Sequence, residues 1–407
     1  MFEFGRDLRK LFAQARESED LGWVELIGPD LLRAEAMRET IDAGRVSCPR
    51  PFEVEHRAAA LWREHARRGG AGESLDRADR CADSLARAAV GEDQIALAAA
   101  DKAAILMLRF DLCGAPGRLD RALSILTAAG QPRSRRVAAA VAAFHARLKV
   151  RTARLSGQID QLAEAAVLMD AAVSGDGVND MDLRMDRAAL ALETGVVGRD
   201  PRLLDQAGRD LGALVEAASP DHRPLTRARA LALCGAGLTA LAAIAGHDKA
   251  RAQGRIMFEA ATDQFTPDHS PLDWAAIQVL RANDDAQPLM LLTQAESMTQ
   301  GSGLVIGALA RERRITREVA LAEAVKNLTA LMTLETRLRA RMPDASPLDW
   351  SADQIGMAEI LLARRRLGGP APADLGLILA EAAATAREQG VEILAERAET
   401  LLKTVRD

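Results

Sequence analysis

The sequence predicts an all-α chain, a solenoid of antiparallel helical hairpins, on three observations. Apolar residues recur at helical spacing from end to end, short Gly- or Pro-bearing breaks separate the periodic segments, and the composition favours helix over sheet. Of the 407 residues 48% are hydrophobic, yet aromatics make up only 3% and Tyr is absent. The apolar mass is therefore Ala, Leu, Val, Ile and Met. Ala and Leu lose little side-chain freedom in a helix, and no sustained alternation of β-branched and aromatic residues reads as a strand.

The periodicity is plain between Val137 and Leu155, where Val137, Val141, Phe144, Leu148 and Leu155 share a face. Comparable segments begin near Leu31, Phe52, Leu75, Ile95, Leu119, Ile159, Leu203, Leu225, Leu272, Leu289, Ile315, Leu348, Leu375 and Val391. Breaks such as Arg68-Gly69-Gly70, Gly130-Gln131-Pro132, Ser219-Pro220 and Gly368-Gly369-Pro370 are short enough to force consecutive helices antiparallel, giving about 17 to 20 helices.

An internal repeat supports the hairpins. The phrases Pro220-Asp221-His222-Arg223-Pro224-Leu225, Pro267-Asp268-His269-Ser270-Pro271-Leu272 and Pro343-Asp344-Ala345-Ser346-Pro347-Leu348 are alike, and the last two continue Asp273-Trp274 and Asp349-Trp350. Each phrase is a helix start. Ser270 and Ser346 suit the N-cap, Pro271 and Pro347 the first helical position, and Asp273 and Asp349 the third, where an acid meets free amide donors.

Ser-Pro-Leu-Asp-Trp resembles the opening of a tetratricopeptide repeat (TPR). In that family an apolar residue stands seven places after the Trp, a small one at eight and a large one at eleven. After Trp350 these are Met357, Ala358 and Leu361; after Arg227, in the Trp position, they are Cys234, Gly235 and Leu238. After Trp274 they are Arg281, Ala282 and Asp285, so only the small residue is kept, and the phrases lie 47 and 76 residues apart where the family repeats about every 34. The motif covers Pro220 to Gly369; elsewhere the resemblance rests on hairpin rhythm. It implies a right-handed solenoid, with residues 1–45 as an N-terminal cap, 46–218 as degenerate hairpins and 219–407 as TPR-like repeats with C-terminal capping helices. It also implies that the two Trp side chains are buried between hairpins.

Motifs for chemistry are missing. No GxxxxGK[ST] or GxGxxG phrase occurs, and Gly301-Ser302-Gly303 lacks a phosphate-holding Lys. The acids Asp176, Asn179, Asp180, Asp182 and Asp186 fail the calcium-loop spacing, because Val178 and Arg187, or Arg184, fall where ligands belong. His56 and His65 lie on opposite helix faces, and neither belongs to HExxH. Cys48, Cys81, Cys113 and Cys234 are spread out and read as reduced, buried thiols. The expectation is a chain with no catalytic residue, cofactor or metal.

One feature stands out: a basic island between Asp120 and Asp160, without an acid, in which Arg121, Arg133, Arg135, Arg136, Arg147, Lys149, Arg151 and Arg154 all fall. Arg136, Arg147, Arg151 and Arg154 line one side of the expected helix beside its apolar face. They form the candidate partner-binding face, docking an acidic protein segment unless acids of neighbouring helices, such as Asp160, Glu164 and Asp170, neutralise them. A second cluster, Arg311, Arg313, Arg314 and Arg317, is set against Glu312 and Glu318.

A net charge of −5 argues against a general nucleic-acid binder. The segment Met1 to Asp7 does not read as a signal peptide, and charges interrupt every apolar stretch before about 18 residues, so no bilayer span is expected. With only six Lys among 53 basic residues, the Arg and Ala bias resembles that of a GC-rich bacterial genome. The expectation is a non-enzymatic scaffold or adaptor of a bacterial cytoplasm, holding a peptide or helix of a partner protein in its concave groove. The alternatives are a nucleic-acid-associated regulator using the island at 121–154, and an enzyme on a helical scaffold.

Overall fold

The computed structural model describes residues 21–173, 180–283, 286–299, 303–342, 345–370 and 374–406. The described residues are 83% helical, and no strand occurs among them. A 3-10 turn, Leu21–Leu26, precedes α1 (Pro29–Ala43), α2 (Pro51–Gly69), α3 (Gly72–Ala88), α4 (Glu92–Cys113) and α5 (Gly117–Ala128). Then come α6 (Arg135–Ser156), α7 (Ile159–Val173), α8 (Asp180–Val197), α9 (Pro201–Ala217), α10 (Pro224–Ala245) and α11 (Asp248–Thr262). The chain continues with α12 (Pro271–Arg281), α13 (Pro288–Met298), α14 (Val305–Ala324), α15 (Leu328–Arg341), α16 (Pro347–Arg366), α17 (Leu375–Glu388) and α18 (Glu392–Arg406).

The helix starts follow the sequence logic. Helices α1, α2, α9, α10, α12, α13 and α16 open on Pro, whose fixed φ suits the first turn and whose missing N–H leaves no unpaired donor. Ser346 accepts from the Asp349 N–H at 3.2 Å, Asp200 from Arg202 at 2.8 Å and Asn327 from Ala330 at 3.0 Å. Ser270 is fully buried just before α12.

The residues form two compact units. The first comprises Met1–His65, Arg77–Asp101 and Ala129–Ser270; the second comprises Ala66–Asp76, Lys102–Ala128 and Pro271–Asp407.

In the first unit each helix from α6 to α11 packs on the next, and α6, α8 and α10 also touch in succession, as the first members of stacked hairpins do. Ala143, Ala146, Val150 and Ala153 of α6 interlock with Leu162, Ala165 and Met169 of α7 and with Leu183 and Leu190 of α8. Met185 and Ala188 of α8 then meet Leu204, Ala207, Leu211 and Leu214 of α9. Helices α10 and α11 approach backbone to backbone: a Cβ on Gly235 would sit 2.8 Å from the Phe258 ring and 3.0 Å from the Gly254 carbonyl. The small residue expected there is thus a packing requirement. Trp62 of α2 is 1% exposed, and its Nε1 donates to Thr40 Oγ1 of α1 at 2.9 Å. At the start of the chain Glu25 holds the first turn of α10, accepting from the Thr226 N–H at 2.8 Å and its hydroxyl at 2.5 Å.

The second unit repeats the pattern in α12 to α18. Ala275, Val279, Leu291, Leu292, Ala295 and Ala310 join α12, α13 and α14, while Ile315, Val319, Leu331, Leu334, Leu338, Met357 and Ile360 join α14, α15 and α16. Leu379, Ala382, Ala386, Leu394, Ala395 and Ala398 continue into α17 and α18. Distant residues close it. Arg67 pairs with Asp273 at 2.8 Å, and the Ala115 N–H donates to the Gln389 carbonyl at 2.9 Å. Beside that bond Gly114 has φ +71°, and a Cβ on it would lie 2.2 Å from the same carbonyl oxygen.

Several expectations change. Trp274 and Trp350 sit in the first turns of α12 and α16 as expected, but both are half-buried, and the wholly buried indole is Trp62. Cys81 is buried, whereas Cys48, Cys113 and Cys234 are only partly so; all four are free thiols. Val137 and Phe144, expected in the core, are half-buried, because the inner line of α6 is Ala143, Ala146, Val150 and Ala153 with Val141 and Leu148. Helix α10 is also long and apolar enough to cross a bilayer by length and composition, since the two Arg near its start precede an uncharged run from Ala230 to Ala245. The expectation that charges interrupt every such stretch is corrected there. Asp176, Asn179, Asp285, Gly301, Ser302, Pro343 and Asp344 lie outside the described residues.

Candidate partner-binding surface

The basic island folds as a helix over most of its length. Asp93 of α4 accepts from the Arg133 and Ser134 N–H groups at 2.7 and 2.9 Å and fixes the entry to α6, and Gly157, at φ 63°, ends it. Of the four candidate residues, Arg147 donates through Nε to Asp186 at 2.6 Å and Arg154 through Nε to Glu193 at 2.5 Å. Both acids are on α8, and both offsets are 39 residues, so the two pairs form successive rungs between first-position helices. Arg151 donates to the Arg147 carbonyl at 3.1 Å, and Arg136 is exposed. Lys149 pairs with Glu164 of α7 at 3.0 Å, while Asp170 pairs with Arg187 at 2.7 Å. Arg147 also lies 6.0 Å above the Phe144 ring, a cation–π distance. Counter-charge thus reaches this face across the hairpin, at side chains still 24% to 43% exposed for the Arg147 pair. Pairs this wet each contribute about 0–1 kcal/mol.

In the same stack, α10 carries no charge from Ala230 to Ala245. Its Leu233, Cys234, Ala240, Leu241 and Ile244 pack towards α8 and α9, and Gly235 faces α11. Ala232 and Ala236 remain half-buried and Ala243 exposed, and only 28% of its most apolar 18-residue window is buried. A helix with no polar face is expected to be covered on every side, and this one is not. Burial pushes the Cys234 thiol to about 11, so it stays protonated at neutral pH.

Two further charged clusters appear that the sequence reading did not assemble. In the first unit His56 of α2 bonds through Nδ1 to Asp101 of α4, which is 1% exposed and also accepts from Arg63 at 3.2 Å. The Asp101 charge raises the His56 pKa against the opposing effect of burial. Burial would raise Asp101, but His56 and Arg63 outweigh it and hold its pKa below the usual carboxylate value. The spacing of His56 from His65 held no hint of this, because its partner lies 45 residues away on another helix.

In the second unit the cluster on α14 is a buried ion network. Glu296 of α13, 6% exposed, accepts from Arg311 at 3.0 Å and Arg314 at 2.5 Å. Arg311 also reaches Asp349 at 3.1 Å, and Arg341 bridges Glu296 and the fully buried Asp353. On the next side of α14, Arg397 of α18 binds Glu312 and Glu359. Burial alone would raise the Glu296 pKa; Arg314 and Arg311 reverse that and lower it. For Asp353 and Glu359 burial prevails and the pKa is raised. Among the described residues no group of three His, Cys, Asp or Glu side chains could hold a metal ion.

No family model matches the chain, and no curated protein matches it. Among solved structures, a human IFIT1 dimer with PPP-AAAA is similar at 15% identity, covering 88% of this chain and 73% of that one with a TM-score of 0.50. A human IFIT1 dimer with m7Gppp-AAAA aligns at 13% identity over 92% of this chain and 78% of that one, with a TM-score of 0.47. IFIT1 is a TPR-repeat protein, and at this identity the likeness is one of fold.

Proposed function

Because the fold is a TPR-like helical repeat, we propose that this chain is a non-enzymatic scaffold holding a peptide or helix of a partner protein. The observation that carries this reading is α10. It belongs to a hairpin stack, carries no charge from Ala230 to Ala245, and only 28% of its most apolar window is buried. Exposed apolar surface costs free energy in water, of the order of 25 cal/mol per Å², and an amphipathic partner segment laid along Ala232, Ala236 and Ala243 would remove it. The paired arginines of α6, two helices away in the same stack, would set the partner's direction more than its affinity. A bacterial cytoplasm as its setting is part of the same proposal, supported by the Arg and Ala bias of the composition.

The test is a photo-crosslinking residue placed at Ala236 and, as a control, at Leu203 on the outer helix α9, irradiated in the native cell. A single partner protein joined at 236 and absent at 203 is the expected result. No adduct, or the same adducts at both places, would sink the reading. A nucleic-acid adduct at 236 would favour the rival use of the island at 121–154. Against that rival, Arg147 and Arg154 already hold carboxylates, so a polyanion would have to displace them.

A further inference from the structure

The arginines of α14 divide into two kinds. Arg311 and Arg314 point among carboxylates, as described above. Arg313 and Arg317 lie on the opposite side of the helix, away from the core line of Ala308, Ile315, Val319 and Ala322. Arg313 is half-buried and donates from Nη1 to the Val279 carbonyl of α12 at 3.0 Å, and it makes no ion pair among the described residues. Glu312, its neighbour in sequence, is turned to the side of α14 that meets Arg397 and Thr316. Arg317 is exposed and has no ion pair among the described residues.

Residues four apart on a helix stand about 6 Å from each other, so the two guanidiniums repel. Burial pushes the Arg313 pKa down, with Arg317 adding to the effect against Glu312. A partly desolvated charge whose nearest carboxylate, Glu312, is engaged by Arg397 and Thr316 is costly, and here it is held in place by a backbone carbonyl.

We propose that Arg313 and Arg317 form a site for one phosphorylated side chain of a partner protein. The charge arithmetic favours phosphate. A phosphate monoester carries about −1.5 to −2 at pH 7 and balances both guanidiniums with a single group, whereas one carboxylate leaves half the charge uncompensated. Guanidinium donors also match phosphate oxygens in planar, paired geometry. Arg313 supplies the fixed half of the site, since its one intramolecular bond leaves the other guanidinium donors free. Arg317 supplies the mobile half, reaching the phosphate from the solvent side. This inference rests on the protein-binding reading above and names the chemistry of the partner.

The probe is a fluorescein-labelled peptide with one phosphoserine flanked by Gly and Ala, measured by anisotropy against its unphosphorylated twin and an Asp-for-phosphoserine version. Wild-type protein should bind the phosphopeptide at least tenfold more tightly than either, with an affinity that falls as salt rises and that inorganic phosphate competes away. The double variant Arg313→Gln with Arg317→Gln should lose at least tenfold, while Arg202→Gln on α9 should change nothing. If the double variant fails to fold, Arg317→Gln alone, at an exposed position, should still lose several-fold with unchanged melting. Equal binding of the three peptides, or undiminished binding by a folded Arg317→Gln variant, overturns the site. Preferential binding of a 5′-triphosphorylated oligoadenylate in the same assay would also overturn it, assigning the arginines to nucleic acid. If crosslinking at Ala236 finds a partner that the double variant holds equally well, the scaffold stands and this site falls. If no partner is found but the phosphopeptide binds, the scaffold reading falls and the site remains.

Discussion

Helices α6 and α14 carry five and four arginines, and the protein treats them in opposite ways. On α6 the guanidiniums of Arg147 and Arg154 meet Asp186 and Glu193 in the open, where each partner keeps a quarter to two-fifths of its surface in water. On α14, Arg311 and Arg314 meet Glu296 with about a tenth or less of each side chain exposed. The Coulomb attraction between such charges grows several-fold as the surroundings lose water, and so does the cost of removing either partner. Arginine count therefore says little about which cluster holds the fold together. What decides is whether the acid comes from a neighbour that also excludes solvent.

The largest effect should follow from Glu296→Ala, which leaves Arg311 and Arg314 buried beside a missing acid. A loss of about 3–5 kcal/mol in urea unfolding is expected, and a loss below 1 would break the contrast. The same network should weaken in acid. Glu296 titrates below its ordinary value, so its stabilising contribution is present above that value and disappears as pH falls through the lowered one. Wild type should thus lose stability on acidification more steeply than the Glu296→Ala variant.

The His56–Asp101 pair falls between the two clusters, with one partner 40% exposed and the other nearly dry. His56 titrates above its ordinary value, so its contribution is complete below that value and is lost as pH rises through the raised one. A His56→Gln variant should show no such decline as pH rises; an unchanged pH profile would remove the pair from the account. The smallest effect belongs to α6. A double-mutant cycle on Arg154 and Glu193, using Ala at each, should return about 0–1 kcal/mol of coupling, vanishing in molar salt. A coupling of 2 kcal/mol or more would mean that this surface is drier than its exposure implies.

Much of the fold was legible because helical rules act locally. Pro at the first position, Ser346 as a cap and the small residue after each Trp position all concern neighbours within one or two turns, and the structure places Gly235, Ala282 and Ala358 in tight contacts as the motif implies. What was hidden depended on contact across the stack. The partners of Arg147 and Arg154 lie 39 residues on, one helix beyond the acids nearest in sequence. The pairing of Arg311 with Glu296, and of His56 with Asp101, comes from which faces of two helices meet, and periodicity does not encode that. The bilayer-length run in α10 was missed for a simpler reason: Arg227 and Arg229 crowd its first turn and mask the uncharged stretch that follows.

The hydrogen bond from Ala115 to Gln389 has a consequence for how the chain is made. Stacked hairpins ordinarily fold from whichever end emerges first, because each depends only on its neighbours. In the second unit the corner after α4 has its partner 274 residues later, so on the ribosome that backbone amide waits for those residues to be synthesised. Arg67 likewise waits for Asp273. At about 5–20 residues per second, the first such segment stays without its docking surface for roughly ten seconds or more. Until then its apolar side is open to whatever binds nascent chains, and the arrival of α17 and α18 releases it. Helices α17 and α18 thus set the moment at which the corner after α4 becomes native.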